Sequence, residues 1–355
     1  MKVFALLYEP ANYTIDRNRA VYEPLGIKWA YLYGQSFAQR EGARVESVAA
    51  ASLWQRLRFA WKTLRSNDVV ILNGYSNSTN ILFFLLNFVL RRPIGIDSDT
   101  PLSIPRNCVA RVVKSMYLHL LFQRKWCYGL AGGTKAHKDL FRHYGMKEER
   151  IFLSPMMVDN ERYKPTSVQE EKRGFRFLYV GRLVECKNLR VLLAAFKQAF
   201  QSNPAVELRV VGDGDLREEL QAAYQAQTNI SFAGRKSGEE LVREYHQADV
   251  FVLPSSYEPW GLVVNEAMAA GLPIIVSDKV GARYDLVEDK GTGFIFPYDS
   301  GEALEERMKL LYKDNALRKQ CAEAAYNLMH QHWNYRLYRQ ELEHFLTAAY
   351  DKNVN

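Results

Sequence analysis

The chain is poor in cysteine. Its four cysteines in 355 residues (Cys108, Cys127, Cys186, Cys321) lie far apart with no C-x-x-C pair. That scatter argues against a zinc site and a disulfide framework, and predicts reduced, structural thiols of a cytosolic protein. Long apolar runs are missing too. The longest, residues 81–90, is interrupted by Asn87 and is too short to cross a bilayer. Residues 1–7 are apolar but for Lys2 and stop at Tyr8-Glu9-Pro10, which predicts a buried first strand and no signal peptide. There is no short-period repeat, no low-complexity tract, no G-x-G-x-x-G and no G-K-[ST] ending. The seven histidines form neither a metal spacing nor a triad.

What is present is an ordinary soluble composition, 48% hydrophobic and 25% charged, in a chain long enough for two domains. The net charge of +7 is unevenly shared. Residues 1–157 hold 22 Lys and Arg against 11 Asp and Glu, and the remainder holds 25 against 29. A basic first half calls for an anionic partner, either a nucleic acid or a membrane surface. Residues 111–124 interleave Arg111, Lys114 and Arg124 with Tyr117 and Phe122. Such a helix suits a membrane interface, a nucleic acid, or simply a core helix with a charged outer face.

Strand and helix patterns alternate along both halves, the signature of parallel sheets. In the first half strands are expected at 3–8, 43–49, 68–72 and 93–96, with helices at 22–40, 53–64, 81–90 and 111–124. Gly132-Gly133 opens a further helix. Polar residues 167–174 read as a linker. A second alternation follows: strands at 175–180, 206–211, 230–233, 250–253, 274–276 and 293–297, helices at 188–199, 216–226 and 238–247. Residues 303–329 and 338–350 are expected as helices.

Two constellations carry chemistry. In the first, the strand ending at Leu253 turns through Ser255-Ser256-Tyr257-Glu258-Pro259-Trp260-Gly261 into a helix that Gly271 and Pro273 end. Unpaired N–H groups at such a helix start, those of Gly261, Leu262 and Val263, suit a phosphate. Glu258 precedes the glycine and Glu266 lies little more than one turn inside the helix, so both carboxylates can reach one ligand. In the second, a strand ends at Gly181 and is followed by Arg182 and Lys187, two fixed cations that can stabilise a departing diphosphate without a metal.

Glu258-x7-Glu266 within Pro-Ser-x-x-Glu-x-x-Gly-x-x-x-x-Glu-Ala resembles the signature of retaining nucleotide-sugar glycosyltransferases of family 4, and Arg182 with Lys187 matches that family's Gly-Arg-x-x-x-x-Lys. The resemblance implies an α/β fold of two Rossmann-like domains facing across a cleft, called GT-B. It puts an acceptor-side domain at 1–157, joined by a crossover helix at 334–355, and a donor domain at 158–333. By the same resemblance Glu258 contacts the transferred sugar and Glu266 the ribose. Gly212 and Gly214 let the nucleotide approach, and Arg235 edges the base. Relatives carry a histidine on the first lobe where this chain has Asp97-Ser98-Asp99, so Asp97 or Asp99 is the candidate replacement. Met157 stands where the family has glycine.

The function expected is metal-independent transfer, with retention, from a nucleotide-diphosphate sugar to a glycan or lipid-linked acceptor. No cofactor and no metal are expected, and the protein is expected in the cytoplasm, peripheral to the inner membrane face, with an anionic membrane as partner and no nucleic acid. Three alternatives stand beside it. Asp97 and Asp99 could form the metal-binding D-x-D of another glycosyltransferase fold. The chain could bind a nucleotide sugar without transferring it. It could bind nucleic acid through its basic half.

Overall fold

A computed structural model describes residues 1–34, 47–165 and 174–354, and the chain divides into two compact units. Unit 1 comprises residues 1–157 and 335–355, and unit 2 comprises residues 158–334.

Unit 1 runs β1 (Val3–Leu7), α1 (Asn12–Arg17), β2 (Lys28–Tyr31), α2 (Leu53–Ser66), β3 (Val69–Asn73), α3 (Ser78–Leu90), β4 (Ile94–Ser98), α4 (Cys108–Phe122), β5 (Cys127–Ala131), α5 (Lys138–His143) and β6 (Ile151–Leu153). Its parallel sheet has the order β2-β1-β3-β4-β5-β6. The order reverses between β1 and β3, a topological switch point. Helices begin where short polar side chains meet free N–H groups. Ser52 forms a reciprocal capping box with Gln55, Asn77 caps α3 and Asn107 caps α4. One face of the sheet is buried by Leu64 of α2, Phe83 and Phe84 of α3, Leu121 and Phe122 of α4, and Phe141 of α5. Right-handed crossovers put all four helices on that face.

Unit 2 runs α6 (Asn160–Tyr163), β7 (Phe175–Val180), α7 (Leu189–Phe200), β8 (Val206–Val211), α8 (Arg217–Ala223), β9 (Ile230–Gly234), α9 (Gly238–His246), β10 (Val250–Leu253), α10 (Leu262–Ala269), β11 (Ile274–Ser277), α11 (Arg283–Leu286), β12 (Gly293–Phe296), α12 (Gly301–Lys313) and α13 (Asn315–Asn327). Its parallel sheet has the order β12-β11-β10-β7-β8-β9, which reverses between β7 and β10. The last helix, α14 (Tyr335–Val354), belongs to unit 1. It buries Tyr338, Leu342, Phe345, Leu346 and Ala349, a stripe at helical spacing. Phe345 packs on Tyr128 and Phe152 at ring distances of 5.6 and 5.7 Å. It lies so close to β4 that a Cβ at Gly95 would meet its ring at 2.8 Å.

Three expectations fail or fall short. The helix expected at 22–40 is interrupted by β2, which pairs with β1 in register Ala5↔Trp29, and its part from residue 35 lies outside the described residues. The strand expected at 43–49 lies largely outside them too, and Val48–Ala50 is a single 3-10 turn. The helix expected at 303–329 breaks at Asp314, whose carboxylate accepts from the Leu317 N–H and so starts a new helix. The linker expected at 167–174 lies, except for Gly174, outside the described residues.

Candidate active site

The second sheet's switch point brings the two sequence constellations together. Ligands of open parallel sheets bind outside the carboxyl ends of the strands at such a point. β7 delivers Gly181 there and β10 delivers the Ser255–Gly261 turn. A 3-10 turn, Glu185–Lys187, presents Lys187, and Asn188 closes it in the left-handed region at φ 56°. The Asn188 amide donates to the carbonyls of Pro254 (3.1 Å) and Tyr298 (2.7 Å), tying the lysine loop to the turn after β10. The N–H groups of Ser256 (2.9 Å) and Tyr257 (3.4 Å) donate to the Cys186 carbonyl from the other side. The result is an ion pair, the Lys187 ammonium donating to the Glu258 carboxylate, with each side chain 13% exposed.

Tyr179 lies beneath them. Its hydroxyl donates to the Arg182 carbonyl at 2.9 Å, and a Cβ on Gly181 would come within 2.7 Å of that hydroxyl. Burial, then the nearby Glu258 carboxylate, holds the phenol far above its ordinary range, so it stays a donor. The Arg182 guanidinium is exposed and has no hydrogen-bond or ion-pair partner among the described residues. Four groups are therefore assembled: Lys187, Glu258, Tyr179 and Arg182.

α10 starts at the same place. Gly261, its N-cap, has φ +98°, and a Cβ there would press on Leu253 (3.1 Å) and Glu258 (3.2 Å). No side chain caps the helix at this position, so the first-turn N–H groups of Leu262 and Val263 remain for a ligand. Glu266, one turn further on, takes different partners. The Tyr245 hydroxyl donates to it at 2.6 Å. Burial raises the Glu266 carboxyl above its usual range, while hydrogen bonds from Tyr245 and Tyr163 pull the other way. Trp260 is 2% exposed, stacks on Trp333 at 5.6 Å and donates to the side-chain oxygen Oδ1 of Asn265, which makes it a packing residue. Tyr257 is exposed. Gly212 has φ +141°, and its missing Cβ leaves room for the Gly181 carbonyl, which would otherwise lie at 1.8 Å. Gly214 gives the same room to Leu183. What these two glycines admit is thus the neighbouring loop. Arg235, just past β9, is exposed.

In unit 1, Asp97, the last residue but one of β4, is buried at 6% exposure, with Arg17 Nη1 3.5 Å away and the Asn73 amide donating at 3.3 Å. Burial raises its carboxyl, Arg17, Ser154 and Asn73 oppose this, and Asp99 adds to it. Asp99 is exposed. Among the described residues no group of three or more His, Cys, Asp or Glu side chains is placed to hold a metal. Arg17, Tyr179 and Asn188 were not singled out from the sequence. Arg17 and Asp97 are brought together only by the fold. Tyr179 could have been suspected from its place two residues before Gly181.

Residues 160–328, nearly all of unit 2, match the family model described as glycosyl transferases group 1. The chain is 29% identical over 252 residues to sulfoquinovosyl transferase SQD2 of Arabidopsis thaliana, covering 67% of this chain and 48% of that protein. It is 30% identical over 173 residues to the putative colanic acid biosynthesis glycosyltransferase WcaL of Escherichia coli (strain K12), covering 46% and 42%. The chain thus spans about half, or less, of the length of these curated relatives. Anabaena Alr3699/HepE, solved with UDP, superposes with a TM-score of 0.76 at 17% identity, over 98% of this chain and 100% of that one. A further structure of it holds UDP-glucose, with a TM-score of 0.75 at 18% identity over 98% and 100%. The fold is the two-domain α/β arrangement called GT-B.

Proposed function

We propose that this chain transfers a sugar from a nucleoside-diphosphate sugar to a glycan or lipid-linked acceptor, retaining the anomeric configuration and using no metal. The observation that carries the reading is the Lys187–Glu258 pair at the switch point of the second sheet, with Arg182 exposed beside it and the uncapped start of α10 opening at Gly261. Cleavage of the bond between sugar and phosphate leaves negative charge on the departing diphosphate. Arg182, Lys187 and the N–H groups of Leu262 and Val263 supply fixed positive charge to meet it. Lys187 must then exchange Glu258 for the diphosphate, which leaves the Glu258 carboxylate to accept from hydroxyls of the sugar. Glu266 takes the ribose hydroxyls. The departing phosphate oxygen accepts the acceptor hydroxyl's proton as the new bond forms on the same face, which conserves configuration. The group 1 match and the nucleotide-bound relative support the donor class.

The same proposal puts the enzyme at the cytoplasmic face of an anionic membrane. Its support is α4, where Val109, Val112, Val113 and Met116 each leave more than half of their surface in water, flanked by exposed Arg106 and Arg111. No described helix is long and apolar enough to cross a membrane. The direct test is turnover of a panel of nucleotide sugars in excess chelator. Wild type should release nucleoside diphosphate, and Lys187→Ala should lose roughly 10²–10³-fold in kcat. Wild-type turnover by Lys187→Ala, or strict dependence on Mg²⁺ or Mn²⁺, would remove the reading.

A further inference from the structure

The buried run that ends β7, Phe177-Leu178-Tyr179-Val180, carries one polar side-chain atom, the Tyr179 hydroxyl. A phenylalanine would fill the same space without taking a hydroxyl out of water. The hydroxyl donates instead to the Arg182 carbonyl, three residues on and 2.9 Å away. That carbonyl and the Leu183 N–H are the two ends of one peptide group, and the Leu183 N–H donates to the Asp213 carbonyl at 2.9 Å. The peptide after Arg182 is therefore held at both ends, from β7 on one side and from the loop after β8 on the other.

The flanking residues are held as well. The Gly181 N–H donates to the Val211 carbonyl at 3.0 Å, and the Gly181 carbonyl lies against Gly212. Leu183 is buried, and its carbonyl accepts from the Leu216 N–H at 3.0 Å. Between these fixed points stands Arg182 with its side chain exposed. Rotating the peptide that follows it changes ψ of Arg182, and with both neighbours fixed its Cα–Cβ bond must turn too. We infer that Tyr179 is a positioning residue: through the Arg182 carbonyl, its hydroxyl sets the direction in which the Arg182 side chain leaves the backbone. The guanidinium is then aimed before the diphosphate departs, which avoids reorganisation during the reaction. Tyr179 itself touches no substrate. It lies beneath Gly181, where a Cβ would meet the hydroxyl at 2.7 Å. The inference rests on the proposed function in one respect, that Arg182 meets the diphosphate.

A double-mutant cycle on the full chain tests it. UDP and uridine are the probes, titrated by calorimetry in the cold, with circular dichroism verifying that each variant is native. Arg182→Ala should weaken UDP by at least about tenfold. Tyr179→Phe keeps the ring, loses only the hydroxyl, and should weaken UDP roughly fivefold. In the Arg182→Ala background the same change should cost UDP nothing further, because no guanidinium is left to aim. Uridine, which lacks the phosphates, should bind all four proteins alike. Full UDP affinity in Tyr179→Phe overturns the positioning role, as does a loss that persists without Arg182. Equal weakening of UDP and uridine overturns it too, since the whole pocket would then have moved. A Tyr179→Phe chain that fails to fold would assign the hydroxyl to the fold instead. UDP binding that ignores Arg182→Ala is a different result: it removes the donor assignment of Arg182, and the positioning role with it.

Discussion

Glu266 shows how a candidate site residue can cost the fold something. Burial holds its carboxyl above the ordinary range, so over the window between the unfolded and folded titrations the native state keeps a proton that the unfolded chain has lost. Stability from this residue therefore falls as pH rises through that window, and above it the penalty of a desolvated carboxylate is present in full. Glu266→Gln keeps an oxygen for the Tyr245 hydroxyl and removes the charge. We expect it to melt higher at neutral pH, by on the order of 2 °C, with the gap closing as pH is lowered toward about 4. Scanning fluorimetry across pH measures this, and a gap independent of pH would contradict it. The same variant should bind UDP more weakly, a trade common at functional sites. Asp97 differs, because Asp97→Asn would strand the Arg17 guanidinium in a buried place. The juxtaposition of candidate residues was legible where spacing and turn chemistry coincide, as at Lys187 and Glu258, whose side chains pair. It was not legible where a partner arrives from a helix distant in sequence, as with Arg17 of α1 for Asp97 or Tyr245 of α9 for Glu266.

At the scale of elements, the strands were the most readable part. β3, β10 and β11 are buried on both faces and appear in sequence as short unbroken runs of Val, Ile, Leu and Phe. β2 was lost because Lys28-Trp29-Ala30-Tyr31 is short, sits at a sheet edge and has its first residue exposed, so no periodicity distinguishes it from helix. The α12–α13 break was lost for a different reason: Asp314 interrupts no pattern and acts only by capping. α4 was legible as a basic helix with aromatics, but the aliphatic stripe facing water required the structure. Val113→Asp with Met116→Asp should cut co-flotation with phosphatidylglycerol vesicles and leave turnover on a water-soluble acceptor intact. Wild-type binding should also weaken as salt rises, because the Arg106 and Arg111 contribution is screened. Equal binding to neutral vesicles, or a dimer in place of vesicle binding, would sink the membrane reading.

The whole molecule is two units with opposite charge balances. Residues 335–355 add three basic and three acidic residues to unit 1, so its excess positive charge remains that of residues 1–157. The group 1 match falls on the acidic unit, while the basic unit carries α4. α14 completes unit 1 by covering the sheet face opposite α2–α5, over Tyr128 and Phe152. A chain ending at residue 334 should accordingly lose the near-ultraviolet signal of unit 1's aromatic core and bind hydrophobic dyes. Retention of that signal would show that the helix is dispensable.

This connectivity also orders events at the ribosome. Every strand of the first sheet is synthesised before unit 2, yet its covering helix emerges only afterwards, roughly 10–30 s later at ordinary elongation rates. During that interval the nascent sheet presents Gly95, Tyr128 and Phe152 bare, a natural target for holdase chaperones. A slowed codon tract within unit 2 would lengthen the exposure without altering a single amino acid.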